Sequence, residues 1–188
     1  MVFFISVFAV IVAAALLAYI AQEPTRNYDA EENMVDEKSQ DLIRNFQKEI
    51  DEFESKIAFT LGATITNGKI TASFDYKFPD ANKVRMAIDE FRRMKRELAV
   101  IKQQINLTKK NATLQFSIIL PELPMRGTGR YYVRQERARV QDIRKFALCK
   151  RDIIIDSLEN IRINANIVSS SLDSGIQGAM THLQSLKT

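Results

Sequence analysis

DANKVRMAIDEFRRMKRELAVIKQQINLTKKNATLQFSIIL, residues 80–120, decides the fold, because its two halves carry different periods. Asp80 is suited to cap a helix. After it Val84, Ala87, Phe91, Met94, Leu98, Ile101 and Ile105 recur at alternating spacings of three and four, the pattern of a coiled-coil seam. Lys83, Arg85, Arg92, Arg93, Lys95, Arg96 and Lys102 make the outer face basic. Lys109, Lys110 and Asn111 read as the end of that helix. From Thr113 the period changes to two, with Leu114, Phe116, Ile118 and Leu120 on one face, and Pro121 and Pro124 stop the segment. The expectation is a strand.

Upstream, Ala63 to Thr66 leads into Asn67-Gly68, a pair that favours a two-residue hairpin turn. Ile70, Ala72, Phe74, Tyr76 and Phe78 then alternate with Lys69, Thr71, Ser73, Asp75 and Lys77 up to Pro79. Hairpin, helix and strand together predict a ββαβ unit, a three-stranded antiparallel-type sheet covered by helices. A helix from about Met34 precedes it, with the stripe Leu42, Phe46, Ile50, Phe53, Ile57 and Leu61. A long helix from about Val133 follows it, on Ala147, Ile154, Leu158, Ile161, Ala165, Val168, Leu172 and Ala179, interrupted at Arg151 and Gly175. Ser169, Ser170, Ser171 and Gly175 mark an expected break.

At the other end, residues 2–20 are uncharged and apolar. At 1.5 Å per residue they match a bilayer core of roughly 30 Å. No basic region precedes them and no small-residue cleavage site follows, so an uncleaved anchor is expected rather than a signal peptide. The stretch after it is acidic, from Glu23 to Glu37, which predicts an N-terminus inside and the bulk of the chain on the non-cytoplasmic side. The expected fold class is therefore α+β with an N-terminal transmembrane helix. The expected division is an anchor at 1–21, a linker at 22–33, a helix-rich domain at 34–168 and a tail at 169–188. The order of anchor, helix and small α/β unit is similar to that of the alignment subunits of type IV pilus and type II secretion machines, a likeness of architecture alone.

Composition narrows the chemistry. Cys149 and His182 are the only cysteine and histidine among 188 residues. One of each gives no disulfide within the chain, no thiolate or histidine-rich metal set and no His-based triad. There is no glycine-rich phosphate loop. The expectation is no enzyme, no cofactor and no metal.

Charge is segregated. Glu23 to Glu54 holds eleven acids and four bases, whereas Lys56 to Arg151 holds twenty-one bases and eight acids. Acidic and basic parts should face each other, within the chain or across subunits. The candidate partner-binding bases are Arg126, Arg130, Arg134, Arg137, Arg139, Arg144 and Lys145. The candidate helix seams are Val84, Phe91, Met94, Leu98, Ile101, Ile154, Leu158 and Ile161.

These features point to a single-pass, membrane-anchored structural subunit that positions partners in a larger assembly. It would meet lipid through residues 2–20 and other protein subunits through its domain. The alternatives are a pilin-like filament subunit, a virion membrane or minor capsid protein, and a tethered binder of nucleic acid or another polyanion through residues 126–151.

Overall fold

The computed structural model describes residues 26–61, 64–66, 69–71, 74–124 and 131–186. Three helices dominate them: α1, Tyr28–Leu61; α2, Ala81–Ile119; and α3, Tyr131–Ser185. Their 34, 39 and 55 residues correspond to about 51, 58 and 82 Å. Between α1 and α2 lies a small hairpin, β1 (Thr64–Thr66) and β2 (Lys69–Thr71), antiparallel with Ile65 opposite Ile70.

The helix starts have local causes. The Asn27 side-chain carbonyl accepts from the Ala30 amide at 3.1 Å, and Asp29 and Glu31 sit in the first turn, where the helix dipole favours acids. Asp80 accepts from the Asn82 amide at 2.8 Å at the start of α2. On α3 the buried residues Val140, Ala147, Ile154, Ile161 and Val168 recur every seven positions, as do Leu158, Ala165, Leu172 and Ala179. On α1 the line Ser39, Leu42, Phe46, Ile50, Phe53, Ile57, Leu61 runs three-four-four instead, an eleven-residue repeat. Such a repeat removes the tendency to coil left-handedly that sevens impose.

The three helices run up, down and up. Arg26 donates to the Glu122 carbonyl at 3.0 Å, and Arg139 and Lys150 pair with Asp29 and Asp36. The starts of α1 and α3 therefore meet the end of α2. A ladder fixes α2 against α3: Lys95 to Asp173 at 2.5 Å, Lys102 to Asn166 at 3.2 Å and Lys109 to Glu159 at 2.7 Å. Donors ascend by seven while acceptors descend by seven, the signature of an antiparallel heptad register.

One continuous core runs between the helices. It includes Phe46, Phe53 and Ile57 from α1, Leu98, Ile105 and Phe116 from α2, and Ile154, Leu158 and Leu172 from α3. Each such side chain contributes about 1.5–3 kcal/mol on full burial. A smaller cluster of Val35, Ile143 and Ala147 closes the end near Leu120. Ser39 is fully buried, and its hydroxyl has no hydrogen-bond partner among the described residues.

At the far end α1 has stopped, and residues 74–78 cross the gap as a strap. The Phe74 ring meets Phe91 edge-on, centroids 5.3 Å apart. Tyr76 and Phe78 pack on Val84, Ile88 and Ala179. His182 Nε2 lies 2.9 Å from the Phe78 carbonyl oxygen and latches the strap to α3. Gly175 and Gly178 face the strap, with Phe74 over the first and Tyr76 over the second.

The α+β expectation is overturned. Among the described residues there is no three-stranded sheet; strand structure ends with the hairpin at Thr71. Residues 74–78 form the strap, not a continuation of β2. The expected third strand, 113–120, is helical to Ile119. Its alternation is real, but Ala112 and Phe116 are fully buried while Leu114 and Ile118 point outward. Thr108 and Ala112 carry the three-four seam through Lys109 and Lys110, which only flank it. Burial of the longer seam outweighs strand propensity. The expected break at Ser169–Ser171 is absent: the seam stays buried through Val168 and Leu172, and the Ser170, Ser171 and Ser174 hydroxyls bond to carbonyls four residues earlier without ending the helix. The architectural likeness to alignment subunits falls with the α/β unit.

The membrane reading is also corrected. No helix among the described residues is long and apolar enough to cross a membrane. Each of the three carries charged faces beside its seam, where a span needs about 20 predominantly apolar residues. The single-pass topology and membrane localisation thus have no support in the structure. Residues 2–20, on which they rested, lie outside the described residues.

Candidate interaction surfaces

The basic segment at the start of α3 is tied into its own fold. Arg139 pairs with Asp29, and its guanidinium lies 5.5 Å from the centre of the Tyr28 ring. Arg26 stacks on the same ring at 5.6 Å and forms a two-pronged pair with Glu31, which raises the Arg26 pKa. Burial, then the charge of Glu136, raises the Tyr28 phenol. Arg144 donates to the Pro121 carbonyl at 2.6 Å and Arg137 to that of Pro124 at 3.4 Å. Both hold the turn between α2 and α3. Lys145 pairs with Asp142 at 3.3 Å and Arg134 is exposed. Arg126 and Arg130 lie outside the described residues. The acidic first half of α1 and the basic start of α3 thus meet within one chain.

Among the seam candidates, Val84, Phe91, Leu98, Ile101, Ile154, Leu158 and Ile161 are buried, and Met94 is half-buried against the core. Ile88, rather than Ala87, is the buried residue in that turn of α2.

A carboxylate with altered acidity, held by two cations, sits in the α2–α3 groove. Glu159 accepts from Arg162 at 2.9 Å and from Lys109 at 2.7 Å. Arg162 first, then Lys109, lowers its pKa from 4.5 to about 2. The arrangement is a clamp between helices, with all its groups engaged by one another. Among the described residues no group of three or more His, Cys, Asp or Glu is placed to hold a metal ion.

Sequence reasoning missed the outward apolar lines. On α2, Val100, Leu107 and Leu114 are exposed at seven-residue spacing, with Ile118 72 % exposed one turn beyond. Phe59 of α1, 91 % exposed, lies with Val100 on the rim of the α1–α2 groove. On α3, Phe146, Ile153 and Ile167 are exposed at multiples of seven, together with Cys149 and Ile163. The signal was present as a second seven-residue spacing on α2 and on α3, but the inward seam accounted for the pattern first.

Comparison of the chain with protein-family models, curated proteins and solved structures finds no match.

Proposed function

We propose that this chain is an elongated structural subunit that holds other protein subunits along a stiff helical rod. One observation carries the reading. Among the described residues, the bundle completes its core without the outward line Val100, Leu107, Leu114 and Ile118 or the neighbouring Phe59. A row of large apolar side chains left exposed along one helix face marks the surface best suited to a protein interface. Heptad spacing suits it to a helix of another protein, which would seat apolar side chains in the α1–α2 groove. Arg137, Arg139 and Arg144, three of the bases that a polyanion would use, are engaged by the chain's own carboxylates and carbonyls, so a protein partner is preferred.

The test is the paired variant Leu107→Glu and Leu114→Glu in the full chain, affinity-purified from the cells that produce it. Both positions are exposed, so helical circular dichroism should stay unchanged. The wild type should purify in a defined complex with other polypeptides at fixed ratio, and the variant should lose them. A wild type that purifies without other subunits, or a variant that keeps them all, overturns the reading.

A further inference from the structure

The outer face of α3 carries a complete second coiled-coil register. Written as a heptad, its a positions are Phe146, Ile153, Asn160 and Ile167, and its d positions are Cys149, Asp156, Ile163 and Ser170. All eight are exposed, over about 36 Å of helix. The face lies opposite the inward seam of Ala147, Ile154, Leu158, Ile161 and Ala165. The positions flanking it are already satisfied inside the chain. On one side Glu159, Asn166 and Asp173 take Lys109, Lys102 and Lys95 of α2. On the other side Lys150 takes Asp36, and the Ser157 and Ser171 hydroxyls bond back to their own helix. Pairing is therefore decided by the a and d rows rather than by flanking charge.

We infer that this face binds a second copy of the chain as an antiparallel coiled coil, with its two-fold axis beside Ser157 and Leu158. The occupant follows from complementarity. In this register Ile153 of one copy meets Ile163 of the other, Ile167 meets Cys149, and Phe146 meets Ser170. The two polar rows meet each other: the Asn160 amide of each copy faces the Asp156 carboxylate of the other, a donor against an acceptor. Slipping by one heptad in either direction places Asp156 against an isoleucine, stranding a carboxylate on an apolar side chain. A parallel pair in register keeps isoleucine on isoleucine but sets Asp156 against Asp156, which like charge opposes. A polar residue at an a position is a known means of fixing register in coiled coils, at some cost in stability. The exposed Asp156 and Asn160, in the middle of a line that is otherwise apolar up to Ser170 at its end, fit that role.

The inference rests on the structural-subunit reading but uses a different helix face, so the two tests fail separately. It is tested by disulfide trapping in the full chain under mild oxidation. Cys149 sits opposite Ile167 in the pair. The two are 18 residues apart on one helix, about 27 Å, and cannot bridge within a chain. Ile167→Cys should therefore give a dimer held by disulfides on a non-reducing gel. The wild type should give little, and Ile167→Cys combined with Cys149→Ser should give little. Adding Ile153→Asp to Ile167→Cys should reduce trapping at least tenfold while the helical signal persists. Strong trapping in the wild type, or in the Cys149→Ser, Ile167→Cys double variant, would show a parallel pair and overturn the inference. So would the absence of trapping in Ile167→Cys alone.

Discussion

Gly175 and Gly178 stand three residues apart on α3, beneath the strap, and the structure assigns them opposite responses to the same change. In a helix interior Gly→Ala gains about 1 kcal/mol. A methyl group at Gly175 would meet the Phe91 ring at 3.5 and 3.6 Å and the Phe74 Cβ at 3.8 Å, ordinary van der Waals distances. Nothing has to move, so Gly175→Ala should stabilise by the full propensity difference. A methyl group at Gly178 would lie 2.5 Å from the Tyr76 phenolic oxygen and 2.7 Å from its Cζ, well inside contact. The ring has to swing off α3, and overpacking of that kind costs about 1–3 kcal/mol. The net effect of Gly178→Ala is then between zero and about 2 kcal/mol of destabilisation. With a urea m-value of about 2 kcal/mol/M, Gly175→Ala should raise the unfolding midpoint by about 0.5 M. Gly178→Ala should leave it unchanged or lower it. Equal stabilisation by both would refute the docking of Tyr76 on α3. In that case, Tyr76→Ala should also fail to rescue anything in the Gly178→Ala background, because there would be no clash to relieve.

Two further outcomes test the helix and the clamp. Phe116→Ala should cost about 3–5 kcal/mol, because the ring is fully buried. Leu114→Ala, at an exposed position, should stay within about 0.5 kcal/mol. A strand would place both on one face and make the costs alike, so equal losses in urea unfolding would restore the sheet. Glu159 has a folded pKa lowered from 4.5 to about 2, so its contribution is fully present above pH 4.5 and is lost as pH falls toward 2. The group is partly exposed, which limits that contribution to about 1 kcal/mol. Glu159→Gln should remove about that much at pH 6 and nothing below pH 2, read from unfolding midpoints across the range. A deficit that persists unchanged at the lowest pH would assign the loss to packing instead.

Most of the helical seams were legible because large aliphatic residues mark them. Leu98, Ile105, Leu158 and Ile161 cannot be placed on a wet face without a large penalty, and their spacing admits one period. The misreading of 113–120 came from small and polar core residues. Thr108 and Ala112 are buried, yet neither marks a seam in sequence, so the α2 line seemed to end at Ile105. The exposed Leu114 and Ile118 then imitated a strand face. At the C-terminal end, Ser169–Ser171 and Gly175 have turn-like propensity, but Ser170 and Ser171 return their hydrogen bonds to the helix and Gly175 lies beside Phe91. Propensity yields there to tertiary contact. The basic surface was visible as composition. Its engagement by Asp29 and by the Pro121 and Pro124 carbonyls depends on which ends meet, and local pattern does not specify that.

Three is an odd number, and that places Tyr28 and Ser185 at opposite poles of the rod. A pull applied through those two points would run along the helix axes. It would load the α1–α2 and α2–α3 interfaces in shear, so that many layers of the core and every rung of the lysine ladder resist together. A bundle with an even number of helices, with both ends at one pole, would instead peel open one layer at a time. The topology suits a tie under tension, one whose two attachment points lie far apart and whose failure requires the whole length to slide at once.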